Sequence, residues 1–379
     1  MKTRIIRIST VPMSLNLLLK GQLKMLSEHY DVLAVSSPGD DLQLVANREE
    51  VRVEPVAMER HISLIKDLKS LIRLVKLFRR ERPWLVHSLT PKAGLLSMLA
   101  ARICNVPVRV HTFTGLVFPY TTGLKRRLLM FTDRLTCACA TVVNPEGEGV
   151  KRDLERAKIT NKPLVIIGNG NVNGIDLDYY QPSEVVSALA RKYKRDDMFT
   201  FCFVGRVVGD KGMNELARAF QRLMVDHPKV RLLIVGSFEE KLDPLQPESK
   251  KFFLNSPQVD FMGWQDDIRP FLAASDAFVF PSYREGFPNV LLQAGAMELP
   301  SIVTDINGAN EIIRDGENGL IIPPKDEERL YQAMLHLVEH PEETRRMAGQ
   351  ARPMITSRYE QHAFWNQLLQ FYSSLSESL

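Results

Sequence analysis

Short apolar strands alternating with helical stretches, in two successive series, predict an α/β protein of two doubly wound, Rossmann-like domains in tandem. Three observations carry this. At 379 residues the chain exceeds one ordinary hydrophobic core. Its composition, 45% hydrophobic and 25% charged, is that of a soluble globular protein. A segment dense in turn formers, Asn169-Gly170-Asn171-Val172-Asn173-Gly174, interrupts the alternation and reads as the linker.

The first series opens with a strand over Thr3 to Ser9 and a helix over Leu15 to Leu26. Asp31 to Ser37 and Val51 to Val56 are strands, followed by a long helix from Ser63 to about Arg82. Strand Trp84 to Ser88 feeds a helix from about Lys92 to Ile103, and Val108 to Thr112 and Thr141 to Val143 enclose another helix. The second series runs from strand Phe199 to Val204 through helix Met213 to Met224 and strand Val230 to Val235. Val259 to Phe261, Ala277 to Phe280, Ser301 to Thr304 and Gly319 to Ile322 continue it, with a helix opening at Asn289. No repeat of 20–50 residues and no low-complexity stretch interrupts the pattern. Two facing parallel sheets are expected to share a cleft at the carboxyl ends of their strands, where open α/β sheets bind ligands.

The bulk properties narrow the function class. A net charge of +4 is too small to argue for a nucleic-acid partner. Cys104, Cys137, Cys139 and Cys202 have neither metal-ligand spacing nor the pattern of a disulfide framework, which points to a reducing compartment. Met1-Lys2-Thr3-Arg4 leads into a strand rather than an apolar signal core, and no run approaches the ~18 apolar residues of a spanning helix. These features predict a cytoplasmic protein whose membrane contact, if any, is peripheral.

Four strand-end loops carry chemistry. In Val204-Gly205-Arg206-Val207-Val208-Gly209-Asp210-Lys211-Gly212 two cations flank a flexible turn at a helix start. That suits a diphosphate, although such a turn alone is equally a surface loop with solvated charges. In Arg284-Glu285-Gly286-Phe287-Pro288-Asn289-Val290 a carboxylate stands at a strand end ahead of an apolar helix. It repels phosphate and suits sugar hydroxyls, or else caps the helix. Beside the Arg206/Lys211 loop the sugar reading is favoured. His111 ends a strand before Thr112-Phe113-Thr114-Gly115, and is either structural or catalytic. His87, at the end of the neighbouring strand, precedes the polar loop Ser88-Leu89-Thr90-Pro91-Lys92, where Lys92 binds an acceptor phosphate or is merely solvated. In Met262-Gly263-Trp264 a glycine and an aromatic line a base-binding slot, unless Trp264 is a core residue.

Taken in order, these loops resemble glycosyltransferase family 4, the retaining enzymes of the GT-B fold, in which two Rossmann-like domains face a central cleft. The carriers are Val204-Gly205-Arg206…Asp210-Lys211-Gly212, Phe261-Met262-Gly263-Trp264, Pro281-Ser282…Glu285-Gly286-Phe287-Pro288-Asn289-Val290 and Asp315-Gly316-Glu317-Asn318-Gly319-Leu320. Thr10-Val11-Pro12-Met13-Ser14, His87…Thr90-Pro91-Lys92-Ala93-Gly94 and His111-Thr112-Phe113-Thr114-Gly115 are similar to the bacterial branch that builds capsule and O-antigen repeat units. The resemblance implies transfer of a sugar, often N-acetylated, from a UDP-sugar to a polyprenyl-diphosphate-linked acceptor. It implies an acceptor-binding domain over residues 1–168 and a donor-binding domain over 169–358, with a last helix, about 359–379, packing back on the first.

By the same resemblance, Arg206 and Lys211 hold the donor diphosphate and stabilise the departing UDP, with no metal required. Glu285 binds the donor sugar, Gly205, Gly286, Phe287, Pro288, Asn289 and Val290 line its site, where backbone amides of the stretch from Phe287 to Val290 assist, and His111 contacts the sugar near its reacting carbon. The acceptor falls to His87, Thr90, Lys92 and Thr114. One position departs from the family: the second glutamate of its Glu-x7-Glu pattern, a ribose ligand, is Gln293 here. An amide still accepts from one hydroxyl, without the strength of a charge-assisted bond. No side chain stands out as a nucleophile, so the acceptor hydroxyl is expected to attack on the leaving-group side, the donor phosphate taking its proton.

The helix from Ile62 to Arg80 is amphipathic and basic. Its apolar stripe is expected to cover the sheet. Its basic face, with Lys125-Arg126-Arg127 ahead of Leu128-Leu129-Met130-Phe131, is suited to anionic headgroups of the cytoplasmic leaflet. Two rivals share the pattern: a non-hydrolysing UDP-sugar 2-epimerase, which the Arg206/Lys211 and Glu285 loops fit less well, and a non-catalytic nucleotide-sugar-binding protein, which Gln293 motivates.

Overall fold

Strand formation follows the apolar runs in both halves of the chain. The computed structural model describes residues 2–59, 63–240 and 243–377. They form two compact units: the chain up to Gly174 together with the segment from Gln361 onward, and Ile175–Glu360. The predicted helix start at Ile62 and the last residues of the terminal helix lie outside the described residues.

In the first unit, β1 (Arg4–Ile8), β2 (Asp31–Ser36), β3 (Arg52–Pro55), β4 (Leu85–Leu89), β5 (Val108–Phe113) and β6 (Val142–Pro145) form a parallel sheet of order β3-β2-β1-β4-β5-β6. In the second, β7 (Phe199–Val204), β8 (Val230–Val235), β9 (Val259–Gly263), β10 (Ala277–Phe280), β11 (Ser301–Thr304) and β12 (Gly319–Ile322) repeat that order as β12-β11-β10-β7-β8-β9, again parallel. Each sheet reverses its strand order once, between β1 and β4 and between β7 and β10. These switch points are where such sheets open a crevice for ligands.

Alternate residues of β1 and β4 serve two cores in the first unit. Ile6, Ile8 and Val86 pack with the helices Leu64–Glu81 and Pro91–Ile103. Ile5, Leu85 and Leu89 pack with Gln22–His29 and with the terminal helix Gln361–Glu377. The turn-rich segment 169–174 belongs to this unit: the Asn173 side chain accepts from Gln22 (3.1 Å) and Trp365 (2.8 Å) and donates to the Lys20 carbonyl (2.9 Å).

Two predicted elements differ. The helix expected from Leu15 to Leu26 is two helices, Pro12–Leu18 and Gln22–His29. The break is stabilised by the buried Glu49 carboxylate, which accepts from the amides of Gly21 (2.9 Å) and Lys24 (3.1 Å) at the start of the second. The stretch between β2 and β3, given no element from sequence, holds the helix Asp40–Glu49. Its signal was present: acidic Asp40 and Asp41 in the first turn, Arg48 in the last, and Leu42 and Val45 facing the core.

Candidate functional site

The second unit's switch point is bridged by charge. The loop after β7 carries Lys211 and the loop after β10 carries Glu285, and the Lys211 ammonium donates to Glu285 Oε1. Both side chains are largely enclosed, 13% and 18% exposed. Ser282 Oγ donates to the same carboxylate oxygen at 3.0 Å, and the ammonium lies 5.2 Å from the Phe280 ring centroid. Glu285 therefore does not cap the following helix: Asn289–Ala296 has no side-chain cap at its start. The first amides of that helix retain their partial positive charge toward the same loop.

Two glycines set this loop's path. Gly212 adopts φ 69°, and a Cβ there would lie 2.0 Å from the Pro281 carbonyl oxygen. Gly308 adopts φ 75°, and a Cβ there would lie 2.4 Å from the Gly286 oxygen. The segment from Pro281 to Pro288 is thus held between two backbone contacts that only glycine permits. Phe287 anchors it from within, buried against Tyr359 with ring centroids 5.6 Å apart. Pro288 is buried as well, whereas Gly286, Asn289 and Val290 are partly exposed.

Arg206 stands on the same loop as Lys211 but is 53% exposed, and its guanidinium donates to Glu239. Gly205 and Gly263 lie at the ends of β7 and β9, flanking Gly236, whose amide donates to the Gly263 carbonyl (2.8 Å). Trp264, 64% exposed, is no core residue; its indole donates to Asp266 Oδ1 at 3.3 Å. Gln293 is half-buried and donates through Nε2 to the Tyr180 hydroxyl at 2.9 Å.

In the first unit the side chains that bridge the corresponding loops are neutral. Thr10, after β1, and Thr90, after β4, share a hydroxyl contact of 2.8 Å; the Thr10 amide donates to Thr90 Oγ1 (3.0 Å), and the Ala93 amide donates to Thr10 Oγ1 (3.1 Å). Lys92 is ion-paired with both oxygens of Asp67, at 2.8 and 2.9 Å, so the solvated reading is corrected. Thr114 is half-buried just past β5.

The two histidines point to opposite faces of their sheet. The register pairs His87 with Val110 and Ser88 with His111, which sets the imidazoles on different sides. His111 is 1% exposed; its Nδ1 lies 2.8 Å from Ser88 Oγ and its ring packs against Phe113. A Cβ on Gly94 would lie 2.2 Å from this ring, so the absence of a side chain there makes room for it. Burial pushes the His111 pKa down to about 3, leaving the ring neutral.

His87 is placed differently from the sequence expectation. Arg7 donates to its Nδ1 (2.8 Å), so the proton sits on Nε2, which donates to Thr112 Oγ1 (2.6 Å); Thr112 in turn donates to Asn144 Oδ1 (2.7 Å). The Tyr372 hydroxyl of the terminal helix also meets Nδ1 at 2.7 Å. Both nitrogens are engaged inside the unit, and desolvation holds the pKa well below the usual histidine range. His87 keys the terminal helix to the sheet and offers an acceptor no free nitrogen.

The amphipathic helix Leu64–Glu81 also corrects an expectation. Ser70, Leu74, Leu77 and Phe78 are buried, but Leu64, Ile65, Leu68 and Ile72 are exposed. Leu124, Leu128 and Phe131 of the helix Gly123–Cys139 are exposed too, beside Lys125, Arg126 and Arg127. Among the described residues no helix is long and apolar enough to cross a membrane.

Sequence reasoning missed the partners: Ser282 for Glu285, Glu239 for Arg206, Tyr180 for Gln293 and Ser88 for His111. Ser282 and Ser88 lie within or beside the motifs. Glu239 and Tyr180 carry no local signal.

Comparison with known proteins places the chain among sugar-transferring enzymes. Residues 22–170 match the glycosyl transferase 4-like domain, and residues 198–340 match the glycosyl transferases group 1 family. The chain is 31% identical over 380 residues to the Staphylococcus aureus capsular polysaccharide biosynthesis glycosyltransferase CapM, covering 99% of this chain and 98% of that one. It is 32% identical over 292 residues to the Escherichia coli UDP-Gal:alpha-D-GlcNAc-diphosphoundecaprenol alpha-1,3-galactosyltransferase, covering 74% and 73%. Among solved structures it resembles Anabaena Alr3699/HepE in complex with UDP, with TM-score 0.82 at 19% identity, covering 98% of this chain and 100% of that chain.

Proposed function

The chain belongs to the group 1, family 4-like glycosyltransferases of GT-B fold, and on that premise we propose that it transfers a hexose or N-acetylhexosamine unit, with retention, from a UDP-sugar to a polyprenyl-diphosphate-linked acceptor in surface-polysaccharide synthesis. The observation that carries the donor half is the enclosed Lys211–Glu285 pair bridging the second unit's switch point. The names of the capsular and diphosphoundecaprenol-dependent relatives support the acceptor half.

In this reading the donor diphosphate replaces Glu285 on Lys211 and Glu239 on Arg206. Glu285, released from the ammonium, accepts from the sugar's hydroxyls, and the amides at the start of Asn289–Ala296 face the sugar and phosphate. Gln293 takes the nucleotide's ribose, while Gly205, Gly263 and Trp264 border the base. The acceptor oxygen forms its bond to the anomeric carbon on the face from which the diphosphate departs, and its proton passes to the departing phosphate oxygen. Fixed cations at the leaving group supply the main rate enhancement. They do so without a metal ion, so turnover is expected to survive a chelator. His111, neutral and held by Ser88, is proposed to contact the transferred sugar. Thr90, Lys92 and Thr114 are the proposed acceptor contacts.

The decisive assay supplies a panel of UDP-sugars with a lipid-diphosphate sugar acceptor. Sugar transfer with retained configuration supports the proposal. Epimerised donor, or binding without turnover, refutes it in favour of an epimerase or a binding protein. We further infer that the exposed Leu64, Ile65, Leu68, Ile72, Leu124, Leu128 and Phe131, beside Lys69, Arg73 and Lys125–Arg127, seat the first unit on anionic headgroups at the inner face of the cell membrane. Sedimentation with anionic but not neutral liposomes is the expected result; equal recovery with both rejects this docking mode.

A further inference from the structure

The segments that carry Lys211 and Glu285 are tied together a second time, two residues before Glu285. The Tyr283 phenol reaches the helix Met213–Asp226, which begins just past Lys211, and donates to Glu215 Oε2 at 2.6 Å. The direction of this bond is fixed, because a carboxylate only accepts. We infer that Tyr283 is a positioning residue: through Glu215 it keeps the Glu285 loop in place when a ligand draws Lys211 away from Glu285, so that the freed carboxylate stays where sugar hydroxyls meet it. The inference rests on the donor-site reading above, in which Lys211 takes the diphosphate and Glu285 the sugar.

The two ties respond differently to an anionic ligand. Phosphate competes with Glu285 for the Lys211 ammonium, so that ion pair is exchangeable. The same phosphate is repelled by the Glu215 carboxylate that holds the phenol. Glu215 is largely enclosed, and Arg218 engages its other oxygen, Oε1, at 3.3 Å. Burial, reinforced by the Glu215 charge, raises the Tyr283 pKa and keeps the phenol protonated as the donor.

The rest of the residue is fixed as well. The Tyr283 amide donates to the Asp210 carbonyl (2.8 Å), and the Lys325 ammonium lies 4.9 Å from the ring centroid. Asp210 is itself held, its amide donating to Asp243 Oδ2. Arg284 also crosses to this loop, donating to Asp210 Oδ2 at 2.9 Å, but it is 42% exposed, and an ion pair so open to water stabilises little. The enclosed phenol is the stronger fastening beside Glu285.

Titrations of UDP alone and of UDP-glucose, UDP-galactose and their N-acetylated counterparts test this. The readout is the ratio of the UDP-sugar to the UDP dissociation constant, taken for the sugar that the wild type binds best. Tyr283→Phe keeps the ring and its packing; it is expected to raise the ratio about fivefold, part of the worth of a hydrogen bond to a charged group, and to leave UDP affinity unchanged. Glu215→Ala, which removes the acceptor instead, is expected to do the same. In the Glu285→Ala background Tyr283→Phe is expected to leave the ratio where Glu285→Ala alone puts it. Equal weakening of UDP and UDP-sugar by Tyr283→Phe makes it a general packing residue and overturns the inference. So does a further rise of the ratio in the Glu285→Ala background. An unchanged ratio in Tyr283→Phe, when Glu285→Ala raises it, overturns the inference and leaves the donor site in place. If Glu285→Ala itself keeps the wild-type ratio, the donor-site reading fails at Glu285 and the inference falls with it.

Discussion

The two switch points share one topology and differ in chemistry. Each lies where the strand order reverses, and each is bridged by side chains from the two loops that emerge there. In the first unit the bridge is Thr10 to Thr90, two neutral hydroxyls, one of which receives the Ala93 amide. In the second it is Lys211 to Glu285, an enclosed ion pair. A hydroxyl pair stabilises its loops and puts no charge across the switch point for a ligand to exchange; the first unit's ion pair there, Lys92 with Asp67, lies beside that bridge and not in it. An ion pair built from one cation and one carboxylate can be opened by a ligand that carries both phosphate and hydroxyls. The fold thus supplies the crevice twice, and side-chain charge sets what each crevice is suited to hold.

This contrast breaks most sharply at Lys211. Lys211→Ala removes the buried cation and leaves Glu285 without its counter-charge; transfer is expected to fall by about 100- to 1000-fold, the cost of losing one enclosed donor to a developing anion. Arg206→Ala is also expected to lose most transfer, though less, because its guanidinium is half in water. Steady-state kinetics at saturating acceptor check both, and near-wild-type turnover in either rejects the role of that residue.

A smaller effect distinguishes the units by pH. His111, with its pKa near 3, and His87 are neutral in the folded first unit, whereas an unfolded histidine titrates near 6.5. The stabilisation from His111 is therefore complete above about pH 6.5 and is lost as pH falls toward 3, at about 1.4 kcal/mol per pH unit, and the depressed His87 acts in the same sense. Asp133 works in the opposite sense. Burial raises it to about 7, so its contribution is complete below about pH 4 and is lost as pH rises toward 7. Two histidines against one carboxyl leave a net loss on acidification between about pH 6.5 and 4. Thermal melts at pH 7 and pH 5 should show it, and His111→Gln should flatten the slope.

The smallest expected change is at the neutral bridge. Thr10→Val should cost about 1–2 kcal/mol of stability by leaving the Ala93 amide and Thr90 hydroxyl short of a partner. UDP affinity should not move. A clear loss of UDP affinity in this variant would erase the distinction between the two switch points.

Much of the molecule was legible before any coordinates. Short apolar runs between turn formers located the strands, because a strand buried on both faces has little choice of composition. The cations and carboxylate of the second unit were legible too, since a charged residue at a strand end beside glycine is unusual enough to notice. The helix Asp40–Glu49 was missed although its acidic start and basic end were in plain view.

What lay beyond the sequence is pairing across long separations. Lys211 meets Glu285, 74 residues away, only because β7 and β10 are sheet neighbours. His87 is withdrawn from any ligand by Arg7 and by Tyr372, 285 residues further along, and nothing local to His87 announces that helix. The stripe on Leu64–Glu81 is amphipathic by sequence, yet which of its apolar residues are covered depends on what packs against them. Local composition determined the strands, the loops and the kinds of charge they carry, because backbone preference and periodicity act over a few residues. Tertiary structure alone decided which charge faces which and which histidine is sealed, because desolvation and pairing depend on neighbours that the chain brings together only when it folds.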